Sequence, residues 1–350
     1  GRRFGLKGSE LAAAETVQDA RDLISAGRKN YIINGDFKVW QRGTSGGAGN
    51  GNRTYSSADR WFNFNAADST SRVDLSSETI GGVTGRFRYG LAITGTQNSR
   101  ILGQCIEGPL PAGDYVFSAW VKFTGEVPSA FYMTHNSSAL TGENNFAGWY
   151  GGAGTSVSYT KPNNYEEVSQ TGVWYKVYKR FTAVSPHLGL GIAFQPLFTA
   201  STTATMTVTG VQLEVGKNAT DFEYRTYGEE LALCQRYYYR IYNGTQRNNT
   251  RFAIGSAVSS GDLDFIFDLP VTMRDVPSID RQGLSNYRTP AGPSGAITSF
   301  TNLDMAHATP NIACVRATKS GAFTTGTSYI LSPTGSTADN DRYIGFSAEL

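Results

Sequence analysis

The sequence predicts a mainly β protein: an N-terminal helix, an antiparallel β-sandwich of jelly-roll type, a short linking helix and a smaller C-terminal β-sandwich domain. Three observations predict it. Apolar residues recur at every second position in run after run, as side chains on one face of a strand must. Clusters of Gly, Asn and Ser punctuate those runs, as at Gly46–Asn52 and Gly151–Ser156. Tyr and Phe number 19 each while charged residues make up only 17% of the chain, below the usual quarter or so of a globular protein. That balance fits pleated, half-buried surfaces with many turns.

The first element is a helix. Ser9–Ala26 reads SELAAAETVQDARDLISA, with Ser9 to cap it, Glu10 in its first turn and Gly27 to close it. Ala13, Val17, Ala20 and Ile24 form a narrow stripe of mostly small residues, suited to close helix–helix contact. Two heptads do not hold alone in water, so this helix needs a neighbour, in its own chain or in another copy. Residues 1–28 are therefore set apart as a leader. The chain opens at Gly1 without Met and reads as a fragment or a processed chain.

The period changes to two from Tyr31 onward. KNYIINGDFKVWQRG, Lys29–Gly43, reads as a strand, a turn and an anchor that open a β-domain, with Trp40 and later Trp61 in its core. In DYVFSAWVKF, Tyr115, Phe117, Ala119, Val121 and Phe123 share a face. In VWYKVYKRF, Val173, Tyr175, Val177 and Phe181 alternate with Trp174, Lys176, Tyr178 and Arg180. In LGLGIAF, Leu188, Leu190, Ile192 and Phe194 share a face. The apolar phase of TATMTVTGVQLEVG shifts at Gly210, which predicts a bulge or a bend. These runs bound a jelly-roll domain over residues 29–227.

GEELALCQRYYYRIY follows, a short helix over Glu229–Arg236 and a strand over Tyr237–Tyr242; residues 228–240 read as a helical, Tyr-rich connector. Beyond it, Leu263, Phe265, Phe267 and Leu269 alternate with Asp262, Asp264 and Asp268, and the run stops at Pro270. IACVRATK and YIGFSAEL read as later strands of a C-terminal β-domain over residues 241–350, the expected receptor-binding tip.

Composition narrows the function. A net charge of +2 is too balanced for a nucleic-acid partner. No apolar run is long enough to span a membrane. Cys105, Cys234 and Cys314 form no CxxC pair and read as three buried thiols. His135, His187 and His307 lack metal-ligand spacing. GTSGG, Gly43–Gly47, matches the nucleophile-elbow pattern but has no helix after it. Asp262 and Asp264 are explained by strand alternation without invoking paired carboxylates. The sequence thus calls for no catalytic residue, metal or cofactor. Aromatics in polar loops are the positive clue. Trp149 and Tyr150 sit in NNFAGWYGGAGTS and Tyr165 in PNNYEE. Their rings are candidates to stack on sugar C–H faces, a chemistry in which Asn and Asp supply hydrogen bonds to hydroxyls; folding back onto the sandwich or facing another subunit is the competing use.

NYIINGDFKVWQRG, SADRWF, VTGVQLEVGKNATDFEYRTYGEELALCQRYYYR and FDLPVTMRDVPSI, in that order across most of Asn30–Ile279, resemble bacteriophage and prophage tail-fibre proteins. INGDF and VQLEVG are also similar to jelly-roll carbohydrate-binding modules of glycan-degrading enzymes. In those modules acids near both motifs hold a structural calcium. Lys38 and Gly210 stand there in this chain, and these two departures from the modules' pattern speak against that calcium. The resemblance implies a virion structural protein, made in the bacterial host cytoplasm and carried in the tail fibre. Its implied partners are itself as a parallel homotrimer, other tail proteins and a host surface glycan. The alternatives are the carbohydrate-binding part of a depolymerase, or a purely structural adaptor segment.

Overall fold

The computed structural model describes residues 29–47, 53–64, 68–96, 100–136, 157–158, 160–199, 202–242, 251–290, 296–334 and 342–349. The leader helix read over Ser9–Ala26, and Trp149 and Tyr150, lie outside the described residues. The chain divides after Thr226 into two units, and each is mainly antiparallel β structure.

In chain order the first unit holds β1 (Ser45–Gly46), β2 (Phe62–Asn63), β3 (Ser69–Asp74), β4 (Thr79–Ile80), β5 (Val83–Thr84), β6 (Tyr89–Gly95) and β7 (Leu102–Leu110). It continues with β8 (Gly113–Thr124), β9 (Ala130–Asn136), β10 (Val157–Ser158), β11 (Trp174–Ala183), β12 (His187–Leu197) and β13 (Ala204–Val215). Two sheets form the sandwich, one ordered β1-β3-β6-β13-β8-β11 and the other β10-β9-β12-β7-β2. Neighbours in the sheets are rarely neighbours in sequence, as in a jelly roll.

The core is the set of inward phases. Tyr115, Phe117, Ala119, Val121 and Phe123 of β8 are all buried, and meet Leu190, Ile192 and Phe194 of β12 in one cluster with Trp61. Each enclosed aromatic or aliphatic side chain contributes about 1.5–3 kcal/mol. The phase shift in β13 is a bulge: its pairing with β8 slips between Thr209 and Gln212. Gly210 sits there at φ 60°, and a Cβ would stand 2.5 Å from the Phe87 ring, so glycine answers both the backbone and the packing. A second slip, between His187 and Gly189, turns Leu188 outward, where it is exposed and leaves the face read for it.

Lys29–Gly43 is not the regular first strand that its apolar content implies. It lies along β13 through two backbone bonds, Tyr31 N to Leu213 O and Val211 N to Gly35 O, each 2.9 Å. Asn34 and Phe37 then adopt positive φ, 57° and 53°, and the chain turns away. Asn34 fixes that turn. Its amide donates to Val39 O (2.9 Å) and Asp59 O (3.0 Å), and its side-chain oxygen accepts from Val39 N (3.0 Å). Trp61 Nε1 donates to Asn34 O at 3.0 Å. Trp61 is buried and Trp40 half-buried against the same core, the anchoring role read for both.

The segments that carry the family resemblance meet in space. Asn30 donates to Val211 O (3.1 Å) and accepts from Leu213 N (3.1 Å). Its backbone N–H reaches Glu223 at 2.7 Å. Arg225 donates to Ile32 O (2.9 Å) and to Asn30 O. Lys38 Nζ bridges the Asp36 carboxylate (2.8 Å) and Arg225 O (2.7 Å), so a cation of the chain itself stands beside the NGDF turn.

The second unit opens with helix α1 (Tyr227–Gln235), with Glu229 and Glu230 in its first turn, where they complement the helix dipole. The strands that follow among the described residues are β14 (Tyr238–Tyr242), β15 (Ala253–Ala257), β16 (Asp262–Asp268), β17 (Ser278–Arg281), β18 (Tyr287–Arg288), β19 (Asn302–Ala308), β20 (Ile312–Thr318), β21 (Ser328–Pro333) and β22 (Tyr343–Ser347). They form sheets β14-β22-β17 and β18-β21-β15-β16-β20-β19. The stretch read as a connector is thus the first helix and an edge strand of this unit. Leu263, Phe265 and Phe267 join Ile344 and Phe346 in its core. Tyr238 lies across Gly345, whose Cβ would fall 2.7 Å from the tyrosine oxygen, to donate to Asp280 at 2.9 Å.

Asn34→Ala strands three buried partners, each costing about 1–3 kcal/mol. The expected loss is about 3 kcal/mol, or roughly 6–12 °C in the Tm of the first unit, read by thermal and urea unfolding. A loss below about 1 kcal/mol would contradict the role given to Asn34.

Candidate functional site

Trp149 and Tyr150 belong to the stretch between β9 and β10, whose ends pair at Asn136 and Val157. Tyr165 is held. Its hydroxyl donates to Pro128 O at 3.0 Å, the Lys161 ammonium lies 4.4 Å from the ring centroid, and the ring packs on the main core. The asparagines beside it serve the backbone. Asn163 N donates to Tyr178 O (2.7 Å) and its side chain accepts from Arg180 N (2.8 Å). Asn164 accepts from Tyr178 N (3.2 Å) and donates to Lys176 O (2.7 Å). These four bonds occupy the free edge of β11, which would otherwise offer itself to another strand.

An aromatic ledge stands on the outer face of β11 and β8. Alternation along β11 sends Trp174, Lys176, Tyr178 and Arg180 outward, while Val177 and Lys179 are buried. Register sets Trp174 opposite Lys122 and Lys176 opposite Trp120, so aromatics and cations alternate both along and across the strands. Trp120 and the half-buried Trp174 both pack against Leu75, Ile80 and Phe87 beside the β4–β5 hairpin, so Trp174 keeps only part of its ring for a ligand. Lys122 Nζ lies 5.0 Å from the Trp174 centroid and 2.8 Å from Glu78 Oε1. Trp174 Nε1 donates to Glu78 Oε2 at 3.0 Å. Those two donors, Lys122 first, hold the Glu78 carboxyl below its ordinary pKa, so it is a fixed anion. Lys176 Nζ donates to Thr220 O at 3.1 Å, and the exposed Arg180 guanidinium lies 5.2 Å from the Tyr178 centroid.

The ledge offers stacking faces with donors and an acceptor around them, which is the chemistry of sugar binding. It does not offer acid–base catalysis. Its carboxylate is ionised and engaged twice. Asp264, on β16 of the second unit, makes a two-point pair with Arg316, at 2.6 and 2.8 Å. That pairing depresses its pKa. Asp262 accepts from Thr318 at 3.0 Å and Ser259 at 3.2 Å. Neither is arranged to pass a proton to a glycosidic oxygen.

Sequence reasoning placed the ledge residues on one face but did not single them out. The signal was available: the outward phase of β11 alternates large aromatics with cations, where a plain wet face carries Thr, Ser and scattered charge. The three cysteines are buried thiols outside any disulfide, the role read for them. Among the described residues no group of His, Cys, Asp and Glu is spaced to hold a metal, and no helix is long and apolar enough to cross a membrane. The fold brings His135 and His187 under each other's electrostatic influence, together with Lys179. His135 stacks on Phe181 at 4.2 Å, and its Nδ1 is enclosed without a partner. Burial, then the Lys179 charge, then His187 lower its pKa to about 3.

A depressed histidine pKa means that the unfolded chain binds the proton first. Stability is therefore lost as pH falls from about 6.5 towards 3. His135→Phe is expected to flatten this acid limb of the unfolding profile of the first unit; an unchanged limb would contradict it.

No family model and no curated protein matches the chain. Solved structures are similar to it at a distance. One is the CBM22-1–CBM22-2 tandem domain of Paenibacillus barcinonensis Xyn10C, 10% identical, covering 86% of this chain and 97% of that one at a TM-score of 0.30. Another is TmCBM61 in complex with β-1,4-galactotriose, 14% identical, covering 54% of this chain and 100% of that one at 0.29. A third is the enzymatically active domain of tailspike protein 4 of bacteriophage CBA120, 11% identical at 0.31, where the match covers 53% of this chain and 21% of the tailspike chain.

Proposed function

We propose that the chain is a virion structural protein, a tail fibre that recognises a host surface glycan for attachment without cleaving it. The observation that carries the reading is the ledge of Trp174 and Tyr178, half-buried aromatics set among cations on a rigid sheet face. The ordered motifs from NYIINGDF to FDLPVTMRDVPSI support the tail-fibre part of it. Trp149 and Tyr150 belong to the same proposal as a second pair of platforms. The chain works as a parallel homotrimer with residues 9–26 on its axis, joined to other tail proteins. Three weak sugar sites on one assembly gain avidity of roughly 10²–10⁴ without any new contact.

The test is binding to host cells and to a glycan array. Trp174→Ala with Tyr178→Ala is expected to weaken binding about tenfold per ring and, because Trp174 also bonds Glu78 and packs on the Leu75, Ile80 and Phe87 cluster, to lower the Tm by a few degrees while the variant stays folded at the binding temperature. Trp149→Ala with Tyr150→Ala is expected to weaken it separately. Native mass spectrometry at micromolar concentration is expected to give the mass of three chains. Binding that survives both double variants would remove these rings from the function, and reducing-sugar release would replace attachment with depolymerase activity.

A further inference from the structure

We propose that the ledge on β11 is built for an acidic polysaccharide, whose carboxylates or equivalent anions are held by Lys176 and Arg180 while its sugar faces stack on Trp174 and Tyr178. The proposal rests on the glycan-binding reading and names the class of glycan.

Charge accounting on this face is uneven. Lys122 is neutralised by Glu78 at 2.8 Å. Lys176 has one acceptor, the Thr220 carbonyl at 3.1 Å. Arg180 has the Tyr178 ring beneath its guanidinium and no carboxylate partner among the described residues. Lys161, exposed on the segment that lines the β11 edge, also lies over a ring, that of Tyr165. The described acids near this face have partners: Glu167 accepts from Asn164 at 3.2 Å and Glu214 from Thr220 at 2.6 Å. Asp114 accepts from Thr182 at 2.6 Å with Lys217 3.7 Å away, and Asp221 pairs with Arg86 at 3.0 Å. Among the described residues, therefore, Lys176 and Arg180 have no carboxylate partner, and they stand between and beside two aromatic platforms.

A neutral sugar laid on that surface would strip water from Lys176 and Arg180 and return nothing of equal strength. An anionic sugar replaces the lost hydration with charge-assisted hydrogen bonds, which are about twice as strong as neutral ones. Arg180 has the planar fork that suits a carboxylate. Spacing adds the second constraint. Outward residues on a strand recur about every 6–7 Å, so Trp174 to Arg180 spans roughly 20 Å in the order ring, cation, ring, cation. That length exceeds one sugar ring. The order fits a chain that repeats an apolar face and a negative charge.

The experiment is affinity electrophoresis of the full chain in gels containing polygalacturonate, alginate, hyaluronate or polysialate, each beside its carboxyl-reduced form, with a neutral glycan array in parallel. At least one acidic polymer is expected to retard the protein about tenfold more than its reduced form, and to do so less at high salt. Lys176→Gln and Arg180→Gln are each expected to remove that preference while binding to the reduced polymer persists. Lys319→Gln, the same charge change in the second unit, where the ammonium bonds only the Ser299 hydroxyl at 3.1 Å, is expected to change nothing. Equal retention by acidic and reduced forms, or binding to neutral glycans alone, overturns the charge assignment and leaves the glycan reading intact. No binding to any glycan overturns both. Retention by single-stranded DNA as strong as by any acidic polymer also overturns the proposal, because it reveals a surface that answers to charge alone.

Discussion

The first unit depends on a polar clasp between its opening and closing segments. Asn30, Asn34 and Arg225 hold the chain around Tyr31–Val39 against β13 and against the turn at Asp59. Asn34 carries no measurable exposure and Asn30 very little, so these hydrogen bonds are made where water cannot substitute for them. A buried backbone group left without a partner costs as much as the bond that would have served it. The clasp therefore sets the one path by which Trp61 and Phe37 reach the interior. Their rings lie 5.1 Å apart, and Phe194 of β12 stacks on Trp61 at 6.4 Å. Polar order at the rim decides how the apolar middle is packed.

Much of the fold was legible because alternation is a strong code. β8 and β16 place every second side chain inward, as their sequences read, and Gly210 marked its own bulge by breaking the phase of β13. Leu188 was not legible. The slip after His187 leaves no residue-type signature, and the apolar pattern runs through it unbroken. Lys29–Gly43 misled for a related reason. Its apolar residues are those of a strand, yet the positive φ at Phe37 is a conformation no large aromatic advertises. It is held by the bond from Phe37 N to Asn34 O at 3.2 Å and by the side-chain bonds of Asn34 to Val39 and to the distant Asp59.

The site was legible in pieces. The order Trp174, Lys176, Tyr178, Arg180 could be read from the chain, as could their shared face. Which cations were free could not. Glu78 reaches Lys122 across 44 positions and Trp174 across 96, and no local pattern foretells that pairing. PNNYEE looked like a wet loop because its polarity was assigned to solvent. In the structure the two asparagines complete the hydrogen bonding of β11, and Tyr165 closes the sandwich beside them. Polar residues that imitate a neighbouring strand are indistinguishable in sequence from polar residues that face water.

The clasp also governs how the first unit carries force. Lys29 reaches Asp221 O at 2.8 Å and Asn30 reaches Glu223 at 2.7 Å, so the chain enters and leaves this sandwich at neighbouring points. A pull along the polypeptide is borne by those few bonds and does not travel through the sheets. The unit behaves as a bead with both holes on one side. Its strands stay unloaded while the clasp lasts, since the two ends of the unit are tied to each other and not across the sandwich.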